Sequence, residues 1–251
     1  MSWIGSGLSH LGQVRRTNED AFSVRNHVGL WVIADGMGGY AGGEVASQLA
    51  ADTIANFLEP RLIQTPFGGP ALSDEESLLI ESIRAGQQAI LQAAKATPEL
   101  REMGTTVVVL RILLHPVPRL ILLHVGDSRG YLLRAGTLRK LSVDHSLMER
   151  YIREGSLSPE EAEHHPNRHV LTRGLGTRRA TPDLSVHLLD PDDQVLLCTD
   201  GLTTMLSDTR IAEVWRDNHA SPRSSCQALV AEANARGGQD NITVVVVARK
   251  E

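Results

Sequence analysis

Five short runs in this chain are apolar at nearly every position, at 30–34, 105–114, 120–125, 194–199 and 242–248. Side chains along a strand point alternately to its two faces, so a run without polar alternation needs both faces covered. Each run therefore predicts a strand roofed by a second sheet on one side and by helices on the other. Weaker, alternating strand candidates lie at 7–14, 131–134 and 184–188. Helical spacing over 43–62 sets Val45, Ala46, Leu49, Ile54 and Leu58 in one stripe, and 77–96, 207–218 and 222–236 read as further helices. The order is strands, two helices, strands, two helices and a last strand. It lacks the strand-helix alternation of a doubly wound parallel sheet and predicts an α+β, mostly antiparallel sandwich with helices outside. The stretch 64–73 reads as the loop between the first two helices. At 251 residues the chain fills a single domain over 1–251.

Several classes of function fit poorly. A net charge of -5 with no basic stripe argues against a nucleic-acid binder. Cys198 and Cys226 stand far apart and read as two buried thiols, without the close pairing of a zinc or redox motif. No charged stretch followed by an apolar one marks the N-terminus as a secretory signal. The longest apolar region, 107–125, is broken by Arg111, His115, Pro116, Pro118 and Arg119, so it reads as two strands and a turn and not as a membrane span. A cytoplasmic monomer is the expectation.

The chemistry concentrates where the apolar runs stop. Asp35 follows LWVIA, Asp127 follows LILLHVG, Asp200 follows VLLCT, and Asp240 immediately precedes NITVVVV. One Asp-Gly pair is an ordinary turn. Four carboxylates at strand ends are instead held on rigid elements and free to converge at one edge, where hard oxygen ligands suit magnesium or manganese.

The segments RRTNEDAF (15–22), VIADGMGGYAGGEVAS (32–47), GTTVVV (104–109), HVGDSRGYLL (124–133), LSVDHSL (141–147), LTRGLGT (171–177), LLCTDGL (196–202) and GGQDNITVVVV (237–247) occur in this order. Together they resemble the metal-dependent protein phosphatases of type 2C, in particular the compact bacterial members, over about residues 7–247. The resemblance implies a four-layer α-β-β-α sandwich with two central antiparallel sheets. It implies a hydrolase that removes phosphate from serine and threonine of proteins with two Mn2+ or Mg2+ ions, and a partner Ser/Thr kinase whose action it reverses. By the same resemblance Asp35 bridges both metals, the Gly36 carbonyl binds one, and Asp200 and Asp240 complete the centre. Of the pair Glu19-Asp20, Asp20 is the first choice for a further contact. Asp127 matches the aspartate of a third, weaker metal, and Arg15 matches the arginine that grips substrate phosphate with its planar fork.

Two positions depart from the family. Where eukaryotic members place histidine after the bridging Asp-Gly this chain has Met37, and where many bacterial members have one a little later it has Tyr40. The leaving-group acid is therefore left open, with a metal-bound water as the alternative; His145 lies in a family motif, but a lone histidine is more often structural. Glycines 36, 38, 39, 42 and 43 fit either close backbone approach to the metal waters or a loop before a helix, where Glu44 suits the positive N-terminal end. The polar segment 146–170 sits where bacterial relatives carry a flap beside the active site. Two rival functions remain: a metal-dependent phosphodiesterase, which would need a basic track, and an inactive phosphoprotein-binding module, which would be expected to lose the aspartates.

Overall fold

A computed structural model describes residues 2–38, 41–64 and 72–250. In chain order the strands are β1 (Ser2–His10), β2 (Asp20–Arg25), β3 (Leu30–Met37), β4 (Gly104–Thr105), β5 (Val107–Leu113), β6 (Arg119–Val125), β7 (Arg129–Arg134), β8 (Thr137–Lys140), β9 (Asp183–Leu188), β10 (Gln194–Cys198) and β11 (Ile242–Lys250). The helices are α1 (Gly42–Leu62), α2 (Leu72–Ala96), α3 (Leu147–Arg153), α4 (Pro159–Glu163), α5 (Asp200–Thr203), α6 (Asp208–Asp217) and α7 (Pro222–Ala235). One sheet has the order β1-β11-β10-β7-β8; the other runs β2-β3-β5-β6-β9, with β4 beside β3. Every pairing between these strands is antiparallel.

The apolar runs are explained by three stacked cores. Between the sheets, Trp31, Ile33, Val108, Leu110, Leu122, Val195, Leu197, Val245 and Val247 interdigitate. The residues alternating with them face outward: Val32, Ala34, Val109 and Leu123 meet Ala46, Ala50, Ile54 and Leu58 of α1. On the opposite side Leu196, Cys198, Val244 and Val246 meet Trp215 of α6 and Leu229 of α7. Each of these inner strands thus serves two hydrophobic interfaces, and the architecture is the expected α-β-β-α sandwich. Close sheet contact needs small residues: a Cβ on Gly5 of β1 would overlap the Trp31 indole.

Some boundaries differ from the sequence expectation. The first strand covers Ser2–His10 rather than 7–14, because the chain leaves the sheet before Gly12, which adopts φ 84°. Strand β2 went unpredicted because its buried positions include only Ala21 and Ser23, too little apolar surface for a pattern. Helix α2 begins at Leu72 instead of 77, with Asp74 and Glu75 in its first turn matching the helix dipole. Residues 65–71 of the expected loop 64–73 lie outside the described residues. The segment 146–170 holds α3 and α4, capped by the Ser146 and Ser158 hydroxyls. Both cysteines are free and buried. Among the described residues no helix is long and apolar enough to cross a membrane.

Candidate active site

All the strand-end aspartates arrive at one edge of the sandwich. In the register of β2 and β3, Asp20 lies directly opposite Asp35. Asp200 follows β10, Asp240 precedes the adjacent β11, and Asp127 sits in the turn between β6 and β7. That turn is made possible by Gly126 at φ 107°, where a Cβ would press on the Thr106 side chain. A cavity of about 270 Å³ opens here, lined by Arg15, Glu19, Asp35, Gly36, Met37, Thr106, Asp127, His169, Leu171, Asp200, Asp240 and Asn241.

Main-chain clamps fix the carboxylates. The Asp35 N–H donates to Thr106 Oγ1 at 3.1 Å, and its carbonyl accepts from Thr106 N–H and Thr105 Oγ1, both at 2.8 Å. Thr106 also shares a 2.7 Å hydroxyl bond with Ser128, next to Asp127. Thr199 Oγ1 donates to Asp20 Oδ2 at 2.9 Å, joining the two sheets beneath the cavity. Asn241 donates to the Leu11 and Thr17 carbonyls at 2.9 Å each and accepts from the Glu19 N–H at 2.8 Å, so it ties down the loop that carries Arg15. Arg15 Nη2 donates to Asp240 Oδ2 at 2.6 Å. Gly36 and Gly43 pass so closely that a Cβ on Gly36 would overlap the Gly43 carbonyl, and one on Gly43 the Glu19 carboxylate.

Electrostatics mark this cluster as incomplete. Burial, reinforced by the neighbouring Asp200 and Asp240, pushes Asp20 up to about 7 even though Thr243 and Thr199 hydrogen-bond to it. Burial beside Asp200 and Asp144 likewise pushes Asp127 to about 7. Asp35 lies well above the carboxylate range through burial and the charges of Asp20, Asp200, Asp127 and Asp240. Asp200 is raised by burial and by Asp240. Among the described residues lining the cavity, only Arg15 carries a permanent positive charge. Hard oxygen donors with so much unmet negative charge are suited to divalent cations such as Mg2+ and Mn2+.

The predicted residues Arg15, Asp35, Gly36, Asp127, Asp200 and Asp240 all line the cavity; Asp20 lies behind Asp35, and Glu19 occupies the rim. Met37 faces the cavity without an acid to offer, and Tyr40 lies outside the described residues. His145 is elsewhere: its ring stacks on His124 with centroids 4.6 Å apart, and its Nδ1 accepts the Gly126 N–H at 3.1 Å. Burial lowers its pKa, which suits a neutral ring supporting the Asp127 turn. His124, His145 and Asp183 bring ligand atoms within 4.8 Å of one another, but Arg173 Nη1 stands 3.1 Å from His145 Nε2 and pairs with Asp183. A guanidinium fills the place a cation would take. Sequence reasoning missed His169, Thr199 and Asn241. The last two stand next to aspartates inside quoted motifs, whereas His169 has no local signal.

Residues 6–233 match the sequence profile of the family described as Protein phosphatase 2C. The Serine/threonine protein phosphatase PstP of Mycobacterium tuberculosis is 39% identical over 238 residues, covering 95% of this chain. The chain spans only 43% of that relative's length. The Serine/threonine phosphatase stp of Listeria welshimeri is 34% identical over 243 residues, 95% of this chain and 92% of that protein. The solved catalytic domain of PstP, in complex with two manganese ions, superposes with a TM-score of 0.84 at 35% identity, covering 98% of each chain. The chain belongs to the protein phosphatase 2C family of metal-dependent serine/threonine phosphatases.

Proposed function

We infer that this chain hydrolyses phosphoserine and phosphothreonine esters on proteins, using divalent cations held by Asp35, Asp200, Asp240 and the Gly36 carbonyl, with Asp20 behind them and Asp127 able to hold a further ion. The observation that carries this reading is the convergence of half-buried carboxylates from both sheets on one cavity with a single permanent cation among its described lining. Bound Mn2+ or Mg2+ would supply a water made nucleophilic near neutral pH and a positive field for the phosphoryl oxygens.

The chain's own groups do the rest. Arg15 lies at the rim with half its side chain exposed, so its fork can leave Asp240 for two phosphate oxygens. Asn241 and the Thr106–Ser128 pair keep the carboxylates in place without reorganisation. His169, the one imidazole lining the cavity among the described residues, is assigned the proton for the departing serine or threonine oxygen in place of Met37. The chain acts as one domain over 1–251, with 146–170 as a flap that shapes substrate access. We place it in the cytoplasm as a monomer, opposing a Ser/Thr kinase.

The test is phosphate release from phosphoserine, phosphothreonine and phosphotyrosine peptides with added Mn2+ or with EDTA. Activity on the first two, abolished by EDTA and by Asp35→Asn or Asp200→Asn in folded protein, is expected. Near-normal turnover by Asp200→Asn would overturn the assignment.

A further inference from the structure

A second cavity of about 490 Å³ lies on the other side of the wall that closes the active site. The wall is the segment 169–173, whose Leu171 bridges to Ser146. His169 and Leu171 face the catalytic cavity, whereas Thr172 and Arg173 line the second one. It is held rigidly, by the Leu147 N–H on the Val170 carbonyl and the Thr172 N–H on the His145 carbonyl, both at 2.8 Å.

Five arginines line this second space: Arg150, Arg153, Arg173, Arg178 and Arg179. Arg150 and Arg153 project from one face of α3, three residues apart. Arg178 and Arg179 are presented by a tight turn in which the Gly174 N–H donates to the Arg179 carbonyl at 2.9 Å and Gly176 adopts φ 84°. Three carboxylates line the cavity, Asp144, Glu149 and Asp183, and two of them do little to offset the arginines. Asp144 is taken by Arg129 at 2.6 Å and by Lys140 at 3.4 Å, and Asp183 by Arg173. Arg150 reaches Glu154 only at 4.0 Å, and among the described residues Arg153, Arg178 and Arg179 have no ion-pair partner. A concavity with five arginines against three carboxylates in a chain of net charge -5 is a local feature, and guanidinium forks match carboxylate and phosphate oxygens.

We propose that this arginine cavity is a substrate subsite that takes acidic residues, carboxylate or phosphorylated, a few positions along the chain from the phosphoserine or phosphothreonine being hydrolysed. The proposal rests on the phosphoprotein phosphatase reading and adds the sequence context of its substrates. An extended peptide advances roughly 3.3 Å per residue, so an acid three to five residues away lies about 10–16 Å from the reacting phosphate, a span suited to crossing one strand of protein wall. The subsite supplies affinity and register, not chemistry, so its effect falls on KM.

The experiment measures kcat/KM on phosphothreonine peptides with neutral flanks, with glutamates three to five residues to either side, with a second phosphoserine there, and with lysines there. p-Nitrophenyl phosphate, which cannot reach the second cavity, serves as the control. Wild-type protein is expected to favour the acidic peptides roughly tenfold through KM, the combined yield of a few exposed charge pairs, with the preference shrinking as salt is added. A stronger effect from phosphoserine than from glutamate assigns the cavity to multiply phosphorylated segments, and equal effects to acidic segments generally. Arg178→Glu/Arg179→Glu should abolish the preference or turn it toward the lysine peptides, and Arg150→Ala/Arg153→Ala should weaken it, with p-nitrophenyl phosphate turnover unchanged in both. Equal kcat/KM for acidic and neutral peptides in the wild type, or a preference that survives both variants, overturns the subsite and leaves the phosphatase reading standing. Turnover of p-nitrophenyl phosphate but of no peptide overturns the protein-substrate reading and the subsite with it.

Discussion

Replacing Glu75 by Ala should destabilise this protein severely without touching its chemistry. Arg111 lies in the middle of β5 with its side chain 0% exposed, facing α2, whose first turn presents Glu75 at 5%. The guanidinium donates to both Glu75 oxygens, at 3.2 and 3.3 Å, and to the Val28 and Ile112 carbonyls. Removing the carboxylate keeps those carbonyl bonds but takes the Glu75 counter-charge away from a guanidinium in the core, which costs about 3–5 kcal/mol. A domain of this size loses roughly 2–4 °C of Tm per kcal/mol, so the expected fall is about 6–20 °C. Glu75→Gln, which retains an acceptor, should cost less, and Arg111→Met/Glu75→Leu should recover most of the loss because it removes both buried charges together. The assay is calorimetric unfolding at fixed Mn2+ concentration, with p-nitrophenyl phosphate turnover measured well below Tm as the control for the cavity. A Glu75→Ala protein melting within about 2 °C of wild type would refute the reasoning, since it would mean water or another group neutralises Arg111 at no cost.

The cavity gives three further expectations. Arg15→Ala should raise KM for a phosphothreonine peptide roughly tenfold with kcat little changed, and Arg15→Lys should restore only part, because an ammonium lacks the two-pronged geometry; a collapse of kcat at constant KM would instead place Arg15 in the transition state. His169→Asn should slow phosphothreonine peptides far more than p-nitrophenyl phosphate, whose leaving group needs no acid, and equal losses would reassign it to packing or binding. In EDTA the protein should melt higher at pH 5.5 than at pH 8: Asp20 and Asp127 hold protons with pKa about 7 when folded against 3.8 unperturbed, so stability is lost as pH rises between those values. Mn2+ at a hundred times its Kd should restore about 2.7 kcal/mol at pH 8, and a chelated protein that instead gains stability with pH would contradict the carboxylate cluster.

How far the sequence could be read follows from the range of each interaction. The strands of the inner sheets were legible because burial on both faces writes itself into consecutive residues, and eight motifs in order carried the family. Strand β2, with its Ala and Ser interior, left no such trace, and its position opposite β3 is what sets Asp20 against Asp35. Arg111 registered only as a break in an apolar run, because its partner is 36 residues away on a helix whose crossing over the sheet is a tertiary matter. The arginine cavity joins α3 to a turn more than twenty residues later. No periodicity links those two places; bridges of Ser146 with Leu171 and of Thr105 with Leu175 bring them together.

The location of the active site, by contrast, is forced by the same apolar runs that define the fold. In β3, β10 and β11 one face feeds the core between the sheets and the other feeds a core under helices, so neither face can accept a carboxylate without burying it unpaired. Charged ligands on such strands are compatible with folding only near or beyond their ends, as Asp35 is near the end of β3, where water or a cation can meet them. Antiparallel pairing then decides which ends coincide: the start of β2 with the end of β3, the start of β11 with the end of β10, and the turn from β6 to β7 beside them. Two sheets stacked face to face bring these ends to one edge. A cluster of like charges there is costly to the empty fold, as the raised Asp20, Asp35 and Asp127 record, and that cost is what gives a divalent cation its hold.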